Sequence, residues 1–120
     1  RGGTIAFNFL HPDGRVVDER FVDVVAAEHG ISVRTGCFCN SGAGETAFSL
    51  SSDTLIGAEF DDEMILDDYI RLVGMPTGGA VRVSLGIATN FADVYRFMRF
   101  ATEFHDVSEV PADLPPRLAC

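Results

Sequence analysis

The chain has 120 residues, 47% of them hydrophobic and ten of them phenylalanine, which is enough for one domain with its own core and excludes a disordered chain. Its formal net charge of −9 argues against a nucleic-acid or anionic-lipid footprint, and no apolar run approaches the roughly 20 residues of a membrane span. All nine basic residues are arginine, so chemistry that runs through a lysine Schiff base cannot be completed by this chain alone.

Gly3 to Leu10, G-T-I-A-F-N-F-L, is rich in β-forming residues and predicts a strand. H-P-D-G-R follows as a turn, with Pro12 and then Asp13-Gly14. Asp18 is placed to cap a helix that runs to about His29, with Phe21, Val24, Val25 and Ala26 as its apolar face. Gly30 is placed to end that helix in a left-handed conformation. Ile31 to Arg34 reads as a short second strand. Glu45 to Phe48 reads as a helical turn, and the unpatterned Ser49 to Leu55 as a loop.

The acidic run from Phe60 to Tyr69 reads as a solvated helix face, capped by Asp61 or Asp62. That helix is expected to bury Ile65, Leu66, Tyr69, Ile70 and Val73 and to stop at Gly74. Ala80 to Gly86 alternates, with Val81, Val83 and Leu85 on one face and Arg82 and Ser84 on the other. Asn90 and Asp93 form a capping pattern for a last helix, whose core side is read as Val94, Phe97, Met98, Ala101 and Phe104. The tail, residues 106–120, holds Pro111, Pro115 and Pro116 and is expected to wander. The order predicts a two-layer α+β domain, a short sheet covered by helices.

Two of the three cysteines sit in R-T-G-C-F-C-N-S-G-A-G, Arg34 to Gly44. An odd count with two cysteines one residue apart does not resemble a secreted disulfide framework, and it favours a reducing, cytoplasmic setting. Cys37 and Cys39 could be metal ligands, a strained disulfide, inert packing residues or a reactive thiol. A zinc site would want four ligands, and the three histidines are scattered; no metal site is assigned. Buried free cysteine is a serious alternative, since it packs as a small hydrophobe. Three glycines with Asn40 and Ser41 nevertheless make a surface loop, and Arg34 nearby would favour a thiolate. His11, His29 and His105 read as ordinary surface or interface residues.

The segments V-R-T-G-C-F-C-N-S-G-A-G (33–44), P-T-G-G-A-V-R-V-S-L-G (76–86) and N-F-A-D-V (90–94) together resemble the C-terminal small domain of class V aminotransferase-fold, pyridoxal phosphate-dependent enzymes. Within them the chain is most similar to the molybdenum cofactor sulfurase branch of the cysteine desulfurase-like proteins. The resemblance covers residues 1–105. It implies an enzyme that removes sulfur from L-cysteine through a persulfide on a mobile cysteine.

It places Cys39 at the catalytic, persulfide-forming position and Arg82 at the arginine that holds the substrate carboxylate in a two-pronged ion pair. Arg34 matches a further motif arginine read as substrate-binding, and Cys37 and Asn40 are auxiliary positions. The resemblance further implies pyridoxal 5'-phosphate as cofactor, held mainly by an N-terminal large domain that this chain lacks. It also implies a homodimer of the full-length enzyme. A chain that opens on Arg1 fits an excised piece, inactive alone. Two rival expectations stand: a class V aminotransferase or lyase in which the cysteines are incidental, and a small non-catalytic binding domain.

Overall fold

The computed structural model describes residues 2–36, 46–57 and 65–117. Strand β1 (Thr4–Phe7) pairs antiparallel with β2 (Val81–Ser84), in the register Thr4 with Ser84, Ile5 with Val83, Ala6 with Arg82 and Phe7 with Val81. The strand expected over residues 3–10 is thus shorter. Its continuation makes only a single bridge between Leu10 and Val16 across the Pro12–Gly14 turn. Period-two alternation then assigns two faces. Val81 and Phe7 face the core, with Val83 and Ile5 farther along the same side. Thr4, Ala6, Arg82 and Ser84 occupy the other, and the Thr4 and Ser84 hydroxyls meet across it at 3.0 Å.

Helix α1 (Glu19–Glu28) starts where expected: the Asp18 carboxylate accepts the Arg20 amide at 2.9 Å. Gly30, at φ 63°, follows its end. Its buried face is Val22 and Ala26, with Phe21 and Val25 packed beside them, whereas Val24 is exposed. Helical geometry explains the correction, since residues 21, 22, 25 and 26 share one side and residue 24 lies off it.

Ile31 to Val33 are not a strand; one residue beyond them, Arg34, bridges to β2. Thr46 and Ala47 are helical, as the expected turn requires. The stretch read as loop contains a short helix, α2 (Ser52–Ile56), too brief to show an apolar period. Helix α3 (Leu66–Leu72) ends at Val73, with Gly74 at φ 68°. Ile65 stands at its start with no side-chain cap, and Asp61 and Asp62 lie outside the described residues.

Helix α4 (Phe91–Ala101) begins with a complete capping box: Asn90 accepts the Ala92 and Asp93 amides, and Asp93 accepts the Asn90 amide. A 3-10 turn over Thr102–Phe104 extends it. Its buried residue is Phe100, which the sequence reading missed, while Met98 is 57% exposed. The helix turns so that Phe97 meets Phe7 and Phe104 meets Phe9, with Phe100 packed between Phe97 and Phe104. Phe9 stacks on Phe104 with ring centres 4.4 Å apart, Phe7 meets Phe9 edge-on at 5.1 Å, and Phe100 meets Phe104 edge-on at 5.2 Å. Val17, Val22, Ala26 and Val81 complete this core. The architecture is a small α+β unit with α1 and α4 packed on the apolar side of the sheet.

The tail is a second correction. Val107 and Val110 pack against the core, His11 Nδ1 lies 2.6 Å from the Val107 carbonyl, and Arg20 reaches the Pro115 carbonyl at 3.2 Å. Arg117 ends the described chain in a cluster of three carboxylates. It bonds Glu19 at 2.9 Å, Asp18 at 3.0 Å and Asp67. Asp67 is therefore partly buried rather than part of a solvated face. Among the described residues no helix is long and apolar enough to cross a membrane.

Candidate functional site

Arg82 lies on β2 of the two-stranded sheet and is flanked on both sides. Ala6 lies opposite it on β1, and Arg34 lies opposite it on the other side. The Arg34 amide donates to the Arg82 carbonyl at 3.0 Å, and the Arg82 amide donates to the Arg34 carbonyl at 2.7 Å. Two residues that exchange both backbone hydrogen bonds project their side chains to the same face of a sheet. Directly opposed residues hold their Cβ atoms about 4.5–5.5 Å apart. The register therefore brings together two arginines that lie 48 positions apart in the sequence, from Arg34 to Arg82. The face they share is the polar one, beside the methyl of Ala6 and the hydroxyls of Thr4 and Ser84.

Neither guanidinium is paired with a carboxylate among the described residues. Two cations on one face without a counter-charge repel each other, and a bound anion relieves that repulsion. Each guanidinium offers planar, paired N–H donors and no acceptor, a set that matches a carboxylate and cannot serve a cation. Ala6 leaves the approach to Arg82 free of bulk on the β1 side.

Gly36 comes two residues after Arg34. Its φ of 104° lies in the region only glycine enters without strain, and its carbonyl accepts the Ala80 amide at 3.1 Å. The entry to the cysteine segment is thus hydrogen-bonded to the residue just ahead of β2. Cys37, Cys39 and Asn40 themselves lie outside the described residues. Among the described residues no cluster of His, Cys, Asp and Glu is placed to hold a metal ion. Of the histidines, His11 is buried against Val107, His29 lies 3.1 Å from Glu103, and His105 contacts Asp106.

Within the 76–86 motif that carries Arg82 into the sheet, the sequence reading did not single out Thr77 or its partner Glu19. Thr77 is fully buried and its hydroxyl donates to Glu19, itself only 2% exposed. Two features could have flagged it: an acidic residue at the first position of an otherwise apolar helix face, and paired glycines at 78 and 79.

Comparison with known proteins identifies relatives of this chain. The chain is 38% identical to a molybdenum cofactor sulfurase of Bos taurus over 117 residues, 95% of this chain and 13% of the relative. It is 43% identical to that of Drosophila yakuba over 100 residues, and 41% identical to that of Solanum lycopersicum over 99 residues, each match covering 82% of this chain. The chain thus spans 12–13% of the length of these relatives. No family model and no solved structure matches it.

Proposed function

Starting from a chain homologous over most of its length to one segment of the molybdenum cofactor sulfurases, we propose that it supplies the carboxylate anchor and the sulfur-accepting thiol of a cysteine desulfurase-type active site. The observation that carries this reading is the Arg34–Arg82 pair, two arginines on one polar face that have no carboxylate partner among the described residues. Residues 1–105 correspond in this reading to the small domain of a class V aminotransferase-type enzyme. The rest of the full-length protein, with its own large domain, completes the site.

The fit of these residues to pyridoxal phosphate is partial. A chain without lysine has no side chain to hold the cofactor aldehyde, whereas its arginines suit the carboxylate of the amino acid presented there. Bound by the remainder of the enzyme, pyridoxal phosphate would supply the electron sink for bonds made and broken around the amino-acid α-carbon. Arg82 would take the L-cysteine carboxylate in a bidentate pair, with Arg34 adding a second positive charge beside it. Fixing that carboxylate orients the substrate sulfur.

Cys39, as thiolate, would attack the sulfur. A sulfur–sulfur bond forms and the substrate carbon–sulfur bond breaks, its electron pair staying with the carbon, which takes up one proton, equivalent to the one the Cys39 thiol gave up, to become the alanine methyl group. The products are alanine and a Cys39 persulfide, and no outside oxidant or reductant is required. Arg34, five residues before Cys39, favours the thiolate electrostatically.

The test uses the full-length protein loaded with pyridoxal phosphate and given L-cysteine, followed by intact mass without reductant and peptide mapping. One added sulfur on Cys39, absent from Cys39→Ser, is the expected result. Cofactor bound, thiols intact and no added sulfur would overturn it and leave an aminotransferase or lyase that uses the same arginine pair.

A further inference from the structure

We propose that Arg117, in the tail, is a positioning residue for Arg82. The inference deepens the reading of Arg82 as carboxylate anchor and rests on it. The connection runs through three contacts. Arg117 Nε donates to Glu19 Oε1 at 2.9 Å. The second oxygen of Glu19 accepts the Thr77 hydroxyl. Thr77 lies three residues ahead of Ala80, whose amide donates to the Gly36 carbonyl, and Ala80 leads directly into Val81–Ser84. Holding Thr77 therefore sets where β2 begins. That start fixes both the Arg82–Arg34 pairing and the point from which the cysteine segment departs.

The packing around this connection leaves no slack. Thr77 is fully buried, Glu19 is 2% exposed, and the Arg117 side chain is 12% exposed. A Cβ added at Gly78 would stand 2.7 Å from Arg117 Nε, 2.9 Å from its Cδ and 3.0 Å from Glu19 Oε1. Gly78 does not have a positive φ, so the close approach of Arg117 and Glu19 is what a side chain there would disturb.

Arg117 cannot move aside freely, because Asp18, Glu19 and Asp67 grip its three nitrogens. Without Arg117, Glu19 is a buried carboxylate with only a hydroxyl for a partner. A buried carboxylate that has lost its cation is costly to keep in place, and relieving that cost alters its hold on Thr77.

The test compares Arg117→Met, Gly78→Ala, Arg117→Met/Glu19→Gln and Arg82→Lys in the full-length protein. Amide exchange is read on peptides covering 78–84 and 91–101, and alanine release from L-cysteine gives the kinetics. Arg117→Met and Gly78→Ala are expected to speed exchange over 78–84 by about tenfold while changing 91–101 by less than about twofold. They are expected to raise KM for L-cysteine about tenfold with kcat within about threefold, the signature of lost substrate anchoring. Glu19→Gln keeps an acceptor for Thr77 and removes the buried charge, so the double variant regains most of both losses.

Exchange that is unchanged, or that rises equally over both peptides, overturns the proposal. So does a local rise in exchange without a KM change while Arg82→Lys still raises KM. Should Arg117→Met not fold, Gly78→Ala and the double variant decide by the same readings. If the carboxylate reading itself is wrong, Arg82→Lys leaves KM unaltered, and the exchange pattern alone then decides whether Arg117 sets the position of Arg82.

Discussion

Single residues in this chain carry several duties at once, and Asp18 shows what that implies for pH. Its carboxylate caps α1 through the Arg20 amide at 2.9 Å, pairs with the Arg20 guanidinium at 2.7 Å and with Arg117 at 3.0 Å. Burial alone would raise its pKa, but the hydrogen bonds from Arg20 and the charge of Arg117 outweigh it, and Asp18 is held below the usual 3.8. The folded state therefore binds the proton less readily than the unfolded chain. Stability from Asp18 is present above its unfolded value of about 3.9 and is lost as pH falls through the lower folded value. Arg117 shifts upward, because its bonds to Glu19 and Asp67 more than offset the burial that opposes its charge, and it stays charged throughout this range.

Asparagine caps a helix as well as aspartate does, so Asp18→Asn removes the charge and keeps the cap. Urea unfolding should show the variant less stable at pH 7 and converging on the parent only as pH falls through the lowered folded value of Asp18. Parallel pH profiles would show that the charge of Asp18 contributes nothing.

At the level of elements, local signals predicted ends better than they predicted helix faces or partners. The Asp18 cap, the Gly30 and Gly74 stops and the Asn90–Asp93 box all lie within one turn of what they control, and the structure has each of them. The alternation of Val81, Arg82, Val83 and Ser84 likewise put Arg82 on the polar side. What the sequence could not show was that Arg34 would be its neighbour, since that pairing depends on register across distant segments. Nor does local pattern mark Arg117 as an anchor, because its three partners come from α1, from the residue before it and from α3. The phase of α4 was misjudged for a similar reason: Met98 and Phe100 are both apolar, and only the aromatic partners at Phe9 and Phe104 select between them. Cys37, Cys39 and Asn40 remain known through their motif. The α4 box gives a direct check. Asn90→Ala should cost about 1 kcal/mol in unfolding free energy, while Asn90→Asp should cost little. An Asn90→Ala variant as stable as the parent would mean that packing alone holds the helix.

For the whole molecule, the unusual feature is apolar surface that the fold does not cover. On α4, Phe91, Tyr95 and Met98 follow one another at helical spacing and are 83%, 59% and 57% exposed. The same helix buries Phe100 on another side and carries Asp93, Arg96 and Arg99, so the exposed stripe is a second apolar strip on an otherwise amphipathic helix. Ile87, Leu85 and Ile5 are exposed as well. Isolated apolar residues are ordinary on a surface, but a stripe of large ones along a helix marks a contact. The relatives that the chain matches are far longer, and it spans 12–13% of their length. Taken alone, it should hide the stripe against copies of itself, opposed by the mutual repulsion of a net charge of −9. Light scattering across a concentration series should therefore show mass rising above that of one chain, more so at high salt, where that repulsion is screened. Replacing Phe91 and Tyr95 with aspartate should return the chain to a monomer without weakening its fold, because neither side chain belongs to the core. A parent chain that stays monomeric at every concentration and salt would show that the stripe is tolerated in water.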